Sequence, residues 1–191
     1  LLPGDISSEK FCREMIDKAV KELDGLDILA QVAGFQQFNK DFETLPSEQL
    51  VRTFTVNVFA MYWIAQAALK HLKPGSAIIT TSSVQAYQPS PILVDYAASK
   101  CAIVGFTKAL ARQLGPKGIR VNCVAPGPVW TALQICGGQD PQKIPHFGQE
   151  TPQGRAGQPA ELAGAYVLLA SDESTYTTGM VYGITGGLLL M

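Results

Sequence analysis

The 191 residues are 47% hydrophobic and 16% charged, with a formal net charge of −1 and a mean hydropathy of +0.12. These values describe one globular domain with a sizeable core and exclude a disordered chain. The near-neutral charge, without a basic run, argues against nucleic acid or an anionic membrane as partner. Apolar stretches broken by Gln, Lys or Gly give no membrane-spanning helix.

Leu1-Leu2-Pro3-Gly4-Asp5 reads as the end of a strand and lacks the basic start and apolar core of a secretory signal. From Ser8 to Asp24 the apolar residues Phe11, Met15, Ala19 and Leu23 recur every fourth position. That spacing predicts an amphipathic helix, capped by Ser7 or Ser8 and ended by Gly25. Residues 26–32 form a short apolar strand leading to Ala33-Gly34, a small pair that lets the backbone approach a ligand beyond the strand end. Residues 35–45 read as a loop. Ser47 to Leu72 reads as one long helix with Asn57 inside it, an unfavourable position that usually has a reason. Pro74-Gly75 is a turn, and Ala77 to Ser82 is a buried strand delivering Ser83.

Gln85 to Leu93 is a loop with Pro89 and Pro91, in which Tyr87 is expected to line or underlie a pocket with Gln85. Val94 to Leu114 is a second long helix. Residues 118–124 read as a strand of alternating character, followed by the turn Ala125-Pro126-Gly127-Pro128-Val129-Trp130-Thr131. Residues 132–158 are polar and too long for a simple connection. They are expected to form a substrate-closing loop, with His146 and Phe147 as pocket residues. Pro159 opens the last helix, and a final strand follows Thr178-Gly179. The cysteines at 12, 101, 123 and 136 form no CxxC pair, and only His71 and His146 are there to join them. A metal site is not expected, and the pattern suits reduced thiols of a cytosolic protein.

The chemistry concentrates between Ser83 and Lys100. Tyr96 and Lys100 lie four apart on a predicted helix and share one face. An ammonium beside a phenol favours the phenolate, which is expected to lower the Tyr96 pKa and make it a usable acid or base. Ser83, thirteen residues before Tyr96, has a hydroxyl suited to bonding a carbonyl or alcohol oxygen.

Ser, twelve residues, Tyr, three residues, Lys resembles the active site of the short-chain dehydrogenase/reductases, and the similarity runs from Asp5 to about Gly187. The resemblance implies an α/β fold with a Rossmann-type doubly wound parallel sheet, and reversible hydride transfer between NADP(H) or NAD(H) and a small aldehyde, ketone or alcohol. It implies catalytic roles for Asn57, Ser83, Tyr96 and Lys100. In the family an Asn in this helix distorts it and holds a water near the Lys. It also implies cofactor contacts at Asp5, Ile6, Ala33, Gly34, Tyr96, Lys100, Pro126, Gly127, Val129 and Thr131. A homodimer or homotetramer through helices 47–72 and 94–114 is implied as well. The sub-branch of NADP-dependent aldehyde reductases and glucose-dehydrogenase-like proteins is the most similar, which favours NADP(H).

Gln31-Val32-Ala33-Gly34 stands where the family has Asn-Asn-Ala-Gly, and Thr185-Gly186-Gly187 where it has Asp-Gly-Gly. No Gly-rich phosphate turn occurs, so the sheet is expected to be truncated, without its first two strands. Residues 1–191 are then a single partial domain, expected to be a fragment of a longer protein. Alone it is expected to be poorly soluble or to bind cofactor weakly. The alternative is a non-catalytic remnant that associates only through its long helices. A serine hydrolase is disfavoured because no G-x-S-x-G elbow surrounds Ser82 or Ser83.

Overall fold

The computed structural model describes residues 1–190. Residues 1–5 form no strand. The first element is helix α1 (Glu9–Leu23), where the Ser8 hydroxyl accepts a hydrogen bond from the Phe11 amide at 3.3 Å. This capping bond satisfies one of the free amides of the first turn. The helix ends one residue earlier than expected: Asp24, at φ 57°, takes the left-handed cap and sends its amide to Val20. An Asp tolerates that conformation better than most side chains.

Four parallel strands follow in simple order, β1 (Ile28–Gln31), β2 (Ala77–Thr81), β3 (Arg120–Pro126) and β4 (Val181–Ile184). Ile78 lies opposite Val121, and Cys123 opposite Val181. The first six residues of β3 are all buried, not alternately exposed as expected. An interior parallel strand has helices over both faces, so neither side reaches water. Leu29, Ile78 and Val121 pack under α1, α3 (Ala60–Leu69) and α4 (Val94–Leu114). Ile79 and Val124 pack on the other face under Ala165 and Leu169 of α5 (Pro159–Ala170). The sheet is thus covered on both sides, as in a Rossmann-type α/β fold.

The expected helix from Ser47 to Leu72 is interrupted. It consists of α2 (Ser47–Phe54), one wide π-helical turn (Thr55–Phe59) and α3. Asn57 sits at the centre of that turn, so the strand-end loop and the distorted helix face each other. The segment from 132 to 158 is not a plain loop. It carries a turn at Gln134–Gly138 and a 3-10 helix at Pro141–His146. It is pinned at its far end by the Val129–Gly157 bridge.

Candidate active site

The carboxyl ends of the strands open into a cavity of about 590 Å³. β2 ends at Thr81, and the extended Ser83 then caps a short turn, its Oγ accepting from the Gln85 amide at 3.1 Å. α4 begins at Val94, which brings Tyr96 and Lys100 to the same cavity as Ser83. All three are nearly withdrawn from solvent, at 7%, 7% and 3% exposure. Lys100 is tied at two points to the end of β2 and the residue after it. Its Nζ donates to the Thr81 carbonyl at 3.0 Å, and its own carbonyl accepts from Ser82 Oγ at 2.8 Å.

Burial dominates the titration of both groups. It pushes the Tyr96 phenol up to about 12, with the Ser83 hydroxyl acting in the opposite sense as a hydrogen-bond partner. It pushes the Lys100 ammonium down to about 8, opposed in part by Cys123. The expected lowering of Tyr96 by Lys100 is therefore corrected. The ammonium lies over the phenol ring, 5.3 Å from its centroid, and desolvation of a phenolate outweighs that contact.

Asn57 acts as a clamp. Its Oδ1 accepts from the Phe35 amide at 2.6 Å, and its Nδ2 donates to the Phe35 carbonyl at 2.8 Å and to Ser99 Oγ at 2.9 Å. The loop after β1 is thereby fixed against α4. A Cβ on Gly34 would stand 3.5 Å from Lys100 Nζ and 3.6 Å from Asn57 Oδ1. Glycine keeps that space clear.

Pro126, Gly127, Val129 and Thr131 line the cavity from beyond β3, and Gln85 and Phe147 line it as expected. Ile6 and Ala33 lie instead in an adjoining apolar cavity of about 310 Å³, which shares Val32 and Thr81 with the first. Asp5 is farther out, on a shallow recess beside Arg52. Bonds from Ser7, chiefly its amide at 2.9 Å, hold the Asp5 carboxyl below the usual carboxylate range.

Two expected pocket residues do not belong to the main cavity. His146 is exposed at the end of its 3-10 helix and pairs with Gln149 at 3.3 Å. Tyr87 is part-buried behind the cavity wall, and burial raises its phenol. Sequence reasoning missed Gln36, Gln134, Gln139 and Tyr166, which do line the cavity. Gln36 was within reach of inference, being two residues beyond the Ala33-Gly34 pair. Tyr166 was hidden in the apolar run of α5; its hydroxyl meets Thr81 Oγ1 at 2.7 Å.

The lysine offers a test of fit for a nicotinamide cofactor. The Lys100 ammonium carries three donors, and among the described residues one protein acceptor takes it. Buried donors require partners, and ribose hydroxyls beside the open Gly34 edge would supply them. The residues present therefore fit the cofactor.

A parallel sheet covered on both faces, with a Ser–Tyr–Lys group at its strand ends, defines a Rossmann-type α/β architecture whose ligand site lies beyond the carboxyl ends of the strands. A family model described as enoyl-(acyl carrier protein) reductase matches residues 1–189. The chain is 60% identical over 187 residues to the Escherichia coli (strain K12) uncharacterized oxidoreductase YghA, covering 98% of this chain and 64% of that protein. It is 43% identical over 190 residues to the Arabidopsis thaliana NADPH-dependent aldehyde reductase 1, chloroplastic, covering 99% and 66%. It superposes on a short chain dehydrogenase from Burkholderia cenocepacia J2315 in complex with NADP with a TM-score of 0.88 at 30% identity, covering 96% and 74%. The chain belongs to the short-chain dehydrogenase/reductase family, and it spans just under two thirds of the length of these curated relatives.

Proposed function

We propose that this chain carries the catalytic part of an oxidoreductase that interconverts a small aldehyde or ketone and its alcohol with NADP(H), NAD(H) being the second choice. The observation that carries the reading is the meeting of Ser83, Tyr96 and Lys100 on one cavity, with the lysine ammonium only partly satisfied by protein. The names of the Arabidopsis relative and the Burkholderia complex support NADP(H).

Lys100, Tyr96, Gly34, Pro126, Gly127, Val129 and Thr131 would hold the nicotinamide half of the cofactor, and Ala33 and Ile6 in the adjoining cavity, with Asp5 beyond them, the adenosine side. Bound NADPH supplies a hydride to the carbonyl carbon, and NADP+ accepts one in the reverse direction. In reduction Tyr96 gives its hydroxyl proton to the substrate oxygen, and the O–H of the alcohol forms as the phenol O–H breaks. A phenol held near 12 stays protonated at neutral pH, the form this step requires. Ser83 donates to the same oxygen as negative charge develops on it. The Lys100 ammonium, charged below about pH 8, stabilises the phenolate that remains. Asn57 holds the Gly34–Phe35 edge and lies on the path by which a water returns the proton. Association into a homodimer or homotetramer through residues 47–72 and 94–114 is part of this reading, supported by exposed Phe59, Tyr62 and Val94 on those helices.

Tyr96→Phe in the intact protein tests it. The variant should lose at least a thousandfold in aldehyde-reducing kcat while its NADPH affinity changes less than tenfold. Turnover retained within tenfold of wild type would refute the assignment.

A further inference from the structure

Tyr166 lines the main cavity, and the chemistry proposed above gives it no task. Its ring stands on α5, across the sheet from α4, and packs beside Ile79, Val124, Ala165 and Leu169. Its hydroxyl meets Thr81 Oγ1 at 2.7 Å, and among the described residues this is the one bond of the Thr81 hydroxyl. Burial raises the Tyr166 phenol, and the bond to Thr81 acts in the opposite sense.

Thr81 is the last residue of β2. Side chains alternate along a strand. Thr80 turns towards α4, where its Oγ1 meets Thr107 Oγ1 at 2.7 Å, and Ile79 and Thr81 turn towards α5. Pairing with β1 stops at Thr80, opposite Gln31. The Thr81 carbonyl lies past the end of that ladder and accepts from Lys100 Nζ at 3.0 Å. One residue therefore joins the two faces of the sheet: its side chain is tied to α5, and its carbonyl holds the lysine of α4.

α5 is a firm anchor for such a tie. The Gln158 amide donates to the Glu161 carboxylate at 2.7 Å across its first turn. Arg120 bonds the Leu169 and Ala170 carbonyls at its last turn, and Ala165 and Leu169 are buried between. A strand end is otherwise free to shift along its own direction, and a shift there would move the acceptor of a buried ammonium. The titratable groups beside that ammonium are Tyr96 on α4 and Cys123 on β3.

We propose that Tyr166 is a positioning residue: through Thr81 it holds the β2 carbonyl that aims the Lys100 ammonium at the cofactor ribose and at Tyr96. This rests on the role of Lys100 proposed above and deepens it.

The test uses the intact protein, with NADPH affinity and the pH profile of aldehyde reduction measured on the same variants. Tyr166→Phe removes one oxygen and keeps the ring on the cavity wall. It should weaken NADPH binding about tenfold and move the alkaline limb of kcat/KM down by about one pH unit, the size of a weakened hydrogen bond to a charged donor. The sign follows from the bond: a carbonyl that meets the ammonium less well stabilises its charge less, so the proton leaves at lower pH. Thr81→Val should do the same, and Thr81→Ser, which keeps the hydroxyl, should behave as wild type. The double variant Tyr166→Phe, Thr81→Val should be no worse than either single one, because both break the same bond. Tyr176→Phe removes a fully exposed phenol and should change nothing. A wild-type limb and affinity in Tyr166→Phe, or effects that add in the double variant, would overturn the proposal. The pH titration of Lys100 in the cofactor-free protein needs no turnover; it is followed by side-chain NMR and identified by its loss in Lys100→Met. A lower midpoint in Tyr166→Phe upholds the tether even where no aldehyde is reduced, in which case the catalytic reading alone fails. An unmoved midpoint overturns the tether whether or not aldehyde is reduced.

Discussion

Among single residues, Lys100 carries the largest conflict between solvation and function. Its ammonium is charged in water up to about 10.5 but only to about 8 in the fold. The folded state binds this proton less tightly, so the penalty is full below pH 8. It is recovered as pH rises from 8 towards 10.5. Lys100→Met removes the effect, and stability measured against this variant isolates it from the other titrating groups. Between pH 7.5 and 10 the unfolding free energy of the intact protein should rise relative to Lys100→Met by about 2 kcal/mol, read from denaturant titrations. A constant difference across that range would mean the lysine is not desolvated. Tyr96 has the opposite sign: its phenol, raised from 10.0 to about 12, withdraws stability between those values. Ser83, Tyr96 and Lys100 were legible in the sequence because their spacing on a strand end and one helix face is a local property. The direction of the Tyr96 shift was not. It depends on how completely the helices above it exclude water, which spacing does not encode.

Asn57 and Arg120 show how elements are held where the site needs them. Asn57 replaces the lost regularity of the π turn with three side-chain bonds to Phe35 and Ser99. Asn57→Ala should cost about 2–3 kcal/mol in unfolding free energy, read from denaturant titration, because it strands the Phe35 amide and carbonyl. It should also weaken NADPH binding through the freed Gly34 edge; unchanged stability would mean the clamp is replaced by solvent. The sequence pointed to this position because an Asn inside a helix needs an explanation, but the partner, 22 residues away, was not predictable from it. Arg120 gave no such warning inside a strand. Its guanidinium bonds the carbonyls of Leu169 at 2.7 Å, Ala170 at 3.4 Å and Ser171 at 3.1 Å, and Ser174 Oγ at 2.9 Å. A cation among the last carbonyls of α5 satisfies acceptors the helix cannot, and complements its dipole. Arg120→Met should destabilise by about 2–4 kcal/mol and accelerate amide exchange in residues 168–178 before the rest of the sheet. Uniform exchange would show that the cap is not the hinge of that region.

At the scale of the whole molecule, the π-helical turn, α3 and α4 leave the apolar side chains of Phe59, Tyr62 and Val94 in water, beside polar ones such as Gln66, Lys108 and Arg112. Phe59 and Tyr62 are 47% and 42% exposed, and the Tyr62 ring meets Phe106 at a tilt of 56° with ring centroids 4.5 Å apart. This contact bridges the two helices and joins an aromatic side chain of each. If a second copy covers this patch, burial of the aromatic rings would contribute to the association energy. α4 carries Tyr96 and Lys100 on its inner side and the π-helical turn before α3 carries Asn57, so pairing these helices would also stiffen the proposed site. Tyr62→Glu places a charge at the centre of that face and should weaken self-association of the intact protein at least tenfold in sedimentation equilibrium. Leu23→Glu is the control, since Leu23 is 72% exposed on α1, away from the face, and association should not change. If both variants sediment like wild type, the helices are not the interface. If Tyr62→Glu alone dissociates and also loses turnover at dilution, the assembled form is the one that holds Lys100 and Tyr96 in register.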